Sequence, residues 1–173
     1  MNLGRIARTL LIISALVANV GCDQVSKHIV RHNIDFNEHI RLLNNHVTLM
    51  KVENTGAFLT AGQYLPETLR FILLTVMPSL VLAFAIFYLI KKTAMSRTTL
   101  LGVCFVVGGG IGNVFDRMWY GSVTDFMHID FGFFQTGVFN MADVSIMTGV
   151  ALMIIDLAVT RRREKIPKTL ADE

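Results

Sequence analysis

The chain has 173 residues, 53% of them hydrophobic and 17% charged, with a mean hydropathy of +0.53. That length fits one domain, and that apolarity excludes an ordinary soluble one. The net charge of +3 does not point to nucleic acid: the basic residues sit at the ends of apolar runs, with no basic groove or interleaved aromatics, and membrane orientation accounts for them better. Cys22 and Cys104 are the only cysteines, too few for a disulfide framework or a cysteine zinc site. Cys104 lies inside an apolar run and reads as packing.

Arg5 and Arg8 precede an apolar run over 10–20, and Gly21-Cys22 follows. That order also occurs in cleavable lipoprotein signals, but Asn19 is a poor fit where such a signal has leucine. Extending the run through Lys27 gives the length that a span needs, so a retained first helix is expected. Residues 40–43 and 47–52 are short strand-like runs around Asn44-Asn45, a hairpin signal. Asn54-Thr55-Gly56-Ala57 reads as a turn, and Pro66 suits the first turn of the next helix. Residues 71–90 are uncharged, with Pro78 predicting a kink that a membrane helix tolerates. Lys91, Lys92 and Arg97 form a short basic loop.

The run 98–115 is the third uncharged stretch. Gly108 and Gly112 give it a small-residue face for close helix approach. These glycines lack the lysine of a phosphate loop and the spacing of a dinucleotide fingerprint. Residues 118–138 form a second loop, strand-like over 123–131, and 140–160 is the fourth run, closed by Arg161-Arg162-Arg163 and Lys165. The expected fold is a mainly α membrane protein forming one membrane-embedded domain over 1–173. Its four transmembrane helices lie near 9–29, 69–90, 98–116 and 140–160. Outer loops at 30–68 and 117–139 carry a small extracytoplasmic β-rich platform.

Four spans place every basic cluster on one side, which the positive-inside rule makes cytoplasmic for both termini. The polar residues then converge at the opposite boundary: Asp23 and Lys27, Asn54, Asn113, Asp116 and Arg117, Asp125, Asn140 and Asp143. Ionisable groups are costly in membrane helices and usually face a cavity or one another. Asp23 and Lys27 are four apart, fit either for an ion pair or for a surface pair at a helix end. Asn113 and Arg117 share a helix face, with Asp116 one step off it, as packing or charge balance. Asn140 and Asp143 fit a helix cap, while Asp125 approaches from the same side.

Two carboxylates sharing a site do not both ionise readily, so one holds a proton while the other stays charged. That division suits aspartyl proteolysis. The same pair also suits a proton pathway in a small four-span transporter or channel, and both readings stay open on spacing alone. A non-catalytic membrane scaffold is a third. The histidines at 28, 32, 39, 46 and 128 show no metal-ligand spacing, and no His-Glu-x-x-His is present. His128 reads as an ordinary loop residue rather than a tuning group.

In chain order, Asp23-Gln24-x-Ser26-Lys27, Asn54-x-Gly56-Ala57, the glycine-rich run ending Gly112-Asn113-x-x-Asp116-Arg117, Val123-x-Asp125-Phe126 and Phe139-Asn140-x-Ala142-Asp143 together resemble bacterial lipoprotein signal peptidase, signal peptidase II. The third glycine of the triplet, where that family often has alanine, is a small departure, and residues 30–50 match no block. The resemblance implies cleavage of diacylglyceryl-modified prolipoproteins on the amino side of the lipidated cysteine. It implies Asp125 and Asp143 as the catalytic pair. Asp23, Lys27, Asn54, Gly56, Asn113, Arg117 and Asn140 would bind substrate or support the site. It further implies no cofactor or metal, a monomer among membrane lipids of the bacterial inner membrane, and sensitivity to globomycin-like inhibitors.

Overall fold

The computed structural model describes residues 4–56, 65–92 and 94–165; Ala57 of the expected turn lies outside them. Helix α1 runs over Arg5–Asn33, unbroken through Gly21-Cys22. Its 29 residues span about 44 Å at 1.5 Å per residue, more than the roughly 30 Å of a hydrocarbon core, so its ends overhang. Strands β1 (Ile40–Leu42) and β2 (Val47–Asn54) form the expected hairpin. Leu43, Asn44 and Asn45 all turn through positive φ. Asparagine tolerates that conformation, whereas leucine rarely adopts it.

The second span covers Glu67–Lys91 in three consecutive pieces: α2 (Glu67–Phe71), a π-helical turn (Ile72–Val76) and α3 (Met77–Lys91). Pro66 precedes its first turn, as predicted. The irregularity predicted at Pro78 falls one turn earlier. Pro78 has no N–H to give the preceding turn, and the ladder widens ahead of it, the Met77 N–H reaching the carbonyl of Ile72.

Helix α4 (Arg97–Tyr120) starts at Ser96, whose hydroxyl accepts the Thr99 N–H at 3.0 Å. It ends at Gly121, where φ of 75° requires glycine or a strained residue. Strand β3 (Val123–Ile129) follows and pairs antiparallel with β2, giving the order β1-β2-β3. The turn expected at Asn54 starts one residue later, because Asn54 itself ends β2 opposite Val123. Helix α5 (Met141–Lys165) closes the described chain.

Helix α4 is the hub. A Cβ on Gly102 would strike the carbonyl of Gly149, one on Gly109 would strike that of Ala142, and Gly108 and Gly112 abut Asn19 and Asp23. Partners rise together on α1 and fall on α5, so α4 runs parallel to α1 and antiparallel to α5. Ile12, Leu89, Leu100, Cys104 and Val107 fill the core toward one end. There Arg8 donates to the carbonyls of Leu89 (2.7 Å) and Lys92 (2.6 Å), while Ser96 and Thr99 hydrogen-bond Asp156. The basic clusters therefore share one end of the bundle. Large apolar side chains such as Leu80, Val81, Phe84 and Phe87 face outward, as a lipid-facing surface requires.

Gly109→Val should lower the thermal midpoint in detergent by the equivalent of about 1–3 kcal/mol, because the added methyls meet backbone rather than a yielding side chain. Circular dichroism melts beside Gly4→Val, where a Cβ meets nothing, will check it.

Candidate active site

At the other end, α1, α4, β2, β3 and the start of α5 bring every singled-out polar residue together. Lys27 is wholly buried. Its Nζ lies 2.8 Å from Asp23 Oδ2, 3.0 Å from Asp116 Oδ2 and 3.0 Å from Asn113 Oδ1. Asp23 and Lys27 are thus an enclosed pair, not a surface one. Asp116, one step off the Asn113 face, is also fully buried and turned toward α1. Arg31 supplies a second cation 2.9 Å from it, so two cations offset two carboxylates. A buried cluster of this kind holds its charges only when each is paired and hydrogen-bonded. Gln24 bridges it, donating to Asp23, Asp116 and the carbonyl of Gly112.

From this cluster the bonding passes to the other two aspartates. Asp23 Oδ1 accepts the Ala142 N–H at 2.9 Å, fixing the first turn of α5. Asn113 uses its oxygen for Lys27, so its Nδ2 faces Asp143 Oδ1 at 3.0 Å. Asn140 and Asp143 form a reciprocal cap: the Asp143 N–H donates to Asn140 Oδ1 at 3.0 Å, and the Asn140 N–H donates to Asp143 Oδ2 at 3.1 Å. Asn140 Nδ2 donates to Asp125 Oδ1 at 2.6 Å. Capping explains part of Asn140, and its amide also joins the two carboxylates.

Asp125 comes from β3. Val52 stands opposite it and Asn54 is the diagonal neighbour, within reach across a strand pair; Asn54 Nδ2 donates to Asp125 Oδ2 at 2.9 Å. Asn54 Oδ1 accepts the Gly56 N–H at 3.0 Å, and the Gly56 carbonyl accepts from Arg117 at 3.0 Å. Burial pushes the Asp125 carboxyl up to about 6, with the hydrogen bond from Asn54 opposing and the charge of Asp143 adding to it. His128 is a strand residue opposite Thr48 rather than a loop residue. Its odd separation from Asp125 turns it to the other face.

The residues that the sequence reading missed hold β3 in place. Arg31 Nε donates to Thr124 Oγ1 at 2.8 Å, and its guanidinium lies 3.9 Å over the Tyr120 ring. Thr124 Oγ1 also donates to Glu53, directly across the ladder, at 2.8 Å. Arg31 had a signal, since 23, 27 and 31 form one stripe on α1 at four-residue spacing. Glu53 and Thr124 had none. Beside Arg117 opens a cleft of about 90 Å³, lined among others by Arg70, Phe71, Leu74, Thr75 and Gly121.

The fold and site define a multi-pass helical membrane protein with a desolvated polar site under a small sheet. A family model described as signal peptidase (SPase) II matches residues 15–159. The lipoprotein signal peptidase of Streptococcus thermophilus strain CNRZ 1066 is 36% identical over 150 residues, 87% of this chain and 94% of that one. That of Enterococcus faecalis is 34% identical, covering 89% and 90%. A solved bacterial membrane enzyme superposes with a TM-score of 0.77 at 24% identity, covering 91% of this chain and 93% of its own. A second gives 0.72 at 25% identity, covering 85% and 92%. The chain belongs to the signal peptidase II family. That membership makes it a protease of lipoprotein processing and sets aside the transporter and scaffold alternatives.

The folded value of Asp125 lies above the ordinary one, so its contribution to stability is present at low pH and is lost as pH rises through about 6. Asn54→Leu, which removes a donor to the carboxylate, should move that midpoint up; Asp143→Asn, which removes a like charge, should move it down. The carboxyl stretch of isotope-labelled aspartate, followed by infrared spectroscopy against pH, reads both shifts.

Proposed function

We propose that this protein is an intramembrane aspartyl endopeptidase. It removes signal peptides from diacylglyceryl-modified prolipoproteins, cutting on the amino side of the lipidated cysteine, with Asp125 and Asp143 as the catalytic pair. The observation that carries this is the Asp125 carboxyl, pushed up to about 6 beside Asp143 and joined to it through Asn140. A water held between the pair gives a proton to Asp143 as its oxygen attacks the scissile carbonyl carbon. Asp125 gives its proton to the carbonyl oxygen. As the gem-diol collapses, one of its hydroxyls returns a proton to Asp125, the C–N bond breaks, the amine takes a proton from Asp143, and a carboxylic acid and an amine leave. The pair ends with one proton, as it began, and no metal or cofactor takes part.

Asn54, Asn113 and Asn140 hold the carboxylates, Asp23 and Lys27 hold Asn113 and α5, and Arg117, anchored on the Gly56 carbonyl, lines the cleft, which has room for a small substrate side chain. The enzyme works as a monomer within one membrane-embedded domain. Substrate arrives laterally through the membrane lipids, and a globomycin-like peptide would compete for the same groups. The protein resides in the bacterial inner membrane with both termini cytoplasmic and the site at the outer leaflet, since the end carrying Arg5, Arg8, Lys91, Lys92 and Arg97 should face inward.

Asp125→Asn and Asp143→Asn should each abolish single-turnover cleavage of a lipidated precursor while leaving a monodisperse protein. The amide keeps its size but neither accepts water's proton nor donates an acid one. The double variant should be scarcely worse than either single. Asp116→Asn should act mainly on stability, because it leaves Lys27 and Arg31 short of one charge. Near-normal cleavage by either well-folded single variant would remove the pair from the chemistry.

Orientation has its own test. With Cys22 replaced by serine, a membrane-impermeant maleimide should label a cysteine at Arg41 in intact spheroplasts and spare one at Met95. Labelling at Met95 would invert the topology.

A further inference from the structure

The far tip of the sheet carries apolar side chains that neither the core nor the site uses. Leu42, Leu43, Phe131, Phe133 and Phe134 are all exposed, Phe133 to 94%. They lie outside the four spans, so lipid flanking the helices does not account for them. An apolar patch of this kind on a folded surface marks an interaction site.

The tip is built rather than frayed. The Asp130 N–H donates to the His46 carbonyl at 2.9 Å, the Phe131 N–H to Phe134 at 2.9 Å and the Thr136 N–H to Ile129 at 2.9 Å. Gly132, at φ 80°, donates its N–H to Asp130 Oδ1 at 2.7 Å. The His46 and Phe131 rings lie 5.1 Å apart, joining this loop to the β1–β2 turn. Backbone groups satisfied in this way leave the aromatic side chains as the free surface.

The course of β3 says where the tip lies. The strand begins three residues beyond the end of α4. Midway, Phe126 packs with Val30 and Ile34 at the end of α1, in a cluster that Met127 and Met141 at the start of α5 complete. A strand that meets three helix ends in turn lies across the bundle, not along its axis. Its seven residues cover roughly 23 Å, which carries its far end beyond the Phe126 cluster, toward whatever surrounds the helices. For a chain with four spans, that is lipid.

We infer that this tip, formed by the 43–46 turn and the 130–135 loop, is a membrane-contact element seated in the lipid interface beside the bundle. Phe131, Phe133 and Phe134 enter the boundary between headgroups and acyl chains, where aromatic and apolar side chains are favoured. With spans at one end and the tip at the other, the sheet is supported from both sides, which limits tilting of β3.

The test places the only tryptophan at the tip, as Phe133→Trp in a Trp119→Phe background, in phosphatidylcholine vesicles with plain or acyl-brominated chains. Trp119 and Phe133 are both exposed, so neither change disturbs the core. Bromolipid should roughly halve the emission, and aqueous iodide should barely reach it. Free quenching by iodide with no bromine effect would overturn the inference. So would shielding that appears only at high protein-to-lipid ratio without bromine quenching, since a second copy would then cover the tip.

Discussion

The structure depends on a buried ammonium. Lys27 has no solvent, so its three N–H groups must be met by protein, and they are met by Asp23, Asp116 and Asn113. Each partner then has a second obligation. Asp23 takes the N–H of Ala142, Asp116 takes the N–H of Thr124 at 3.3 Å and pairs with Arg31, and Asn113 faces Asp143. One charge on α1 thereby sets α4, the first turn of α5 and the root of β3 against one another. Removing it would leave Arg31 alone against two carboxylates in a space built for neutrality.

The sheet has a different task. A carboxylate on a helix end and another on a strand come together only if the strand is held at the correct height and rotation. Arg31 and Glu53 both grip Thr124, the residue before Asp125, one from α1 and one across the ladder. Side chains alternate along a strand, so fixing Thr124 on one face directs Asp125 to the other, toward Asn54 and Asn140. The register irregularity between Leu49 and Val52 lets β2 present both Glu53 and Asn54 where they are needed.

Much of this was legible in the sequence, for physical reasons. Spans announce themselves because lipid demands long uncharged runs, and Asn44-Asn45 marked the hairpin because few residues accept positive φ. The polar convergence followed from counting spans. Spacing put Asp116 one step off the face of Asn113, yet both meet Lys27 Nζ, because a helical wheel does not say which neighbour a face meets. Thr124 and Glu53 were invisible, because their partners are set by where the sheet lands on the helices. Pro78 signalled an irregular ladder without showing that its preceding turn would widen.

The seam between α4 and α5 keeps time in sevens: Gly102 meets Gly149 and Gly109 meets Ala142, seven residues on along one helix and seven back along the other. Asn113 follows one helical turn past Gly109 and faces Asp143, the neighbour of Ala142. One residue inserted between Gly102 and Gly109 would turn everything beyond it by about 100° and lift it about 1.5 Å, swinging Asn113 away from Asp143 although no polar residue had changed. Substitutions among the outward-facing apolar side chains leave that count untouched. The lipid-buried half of the chain should therefore drift freely in composition and hardly at all in length.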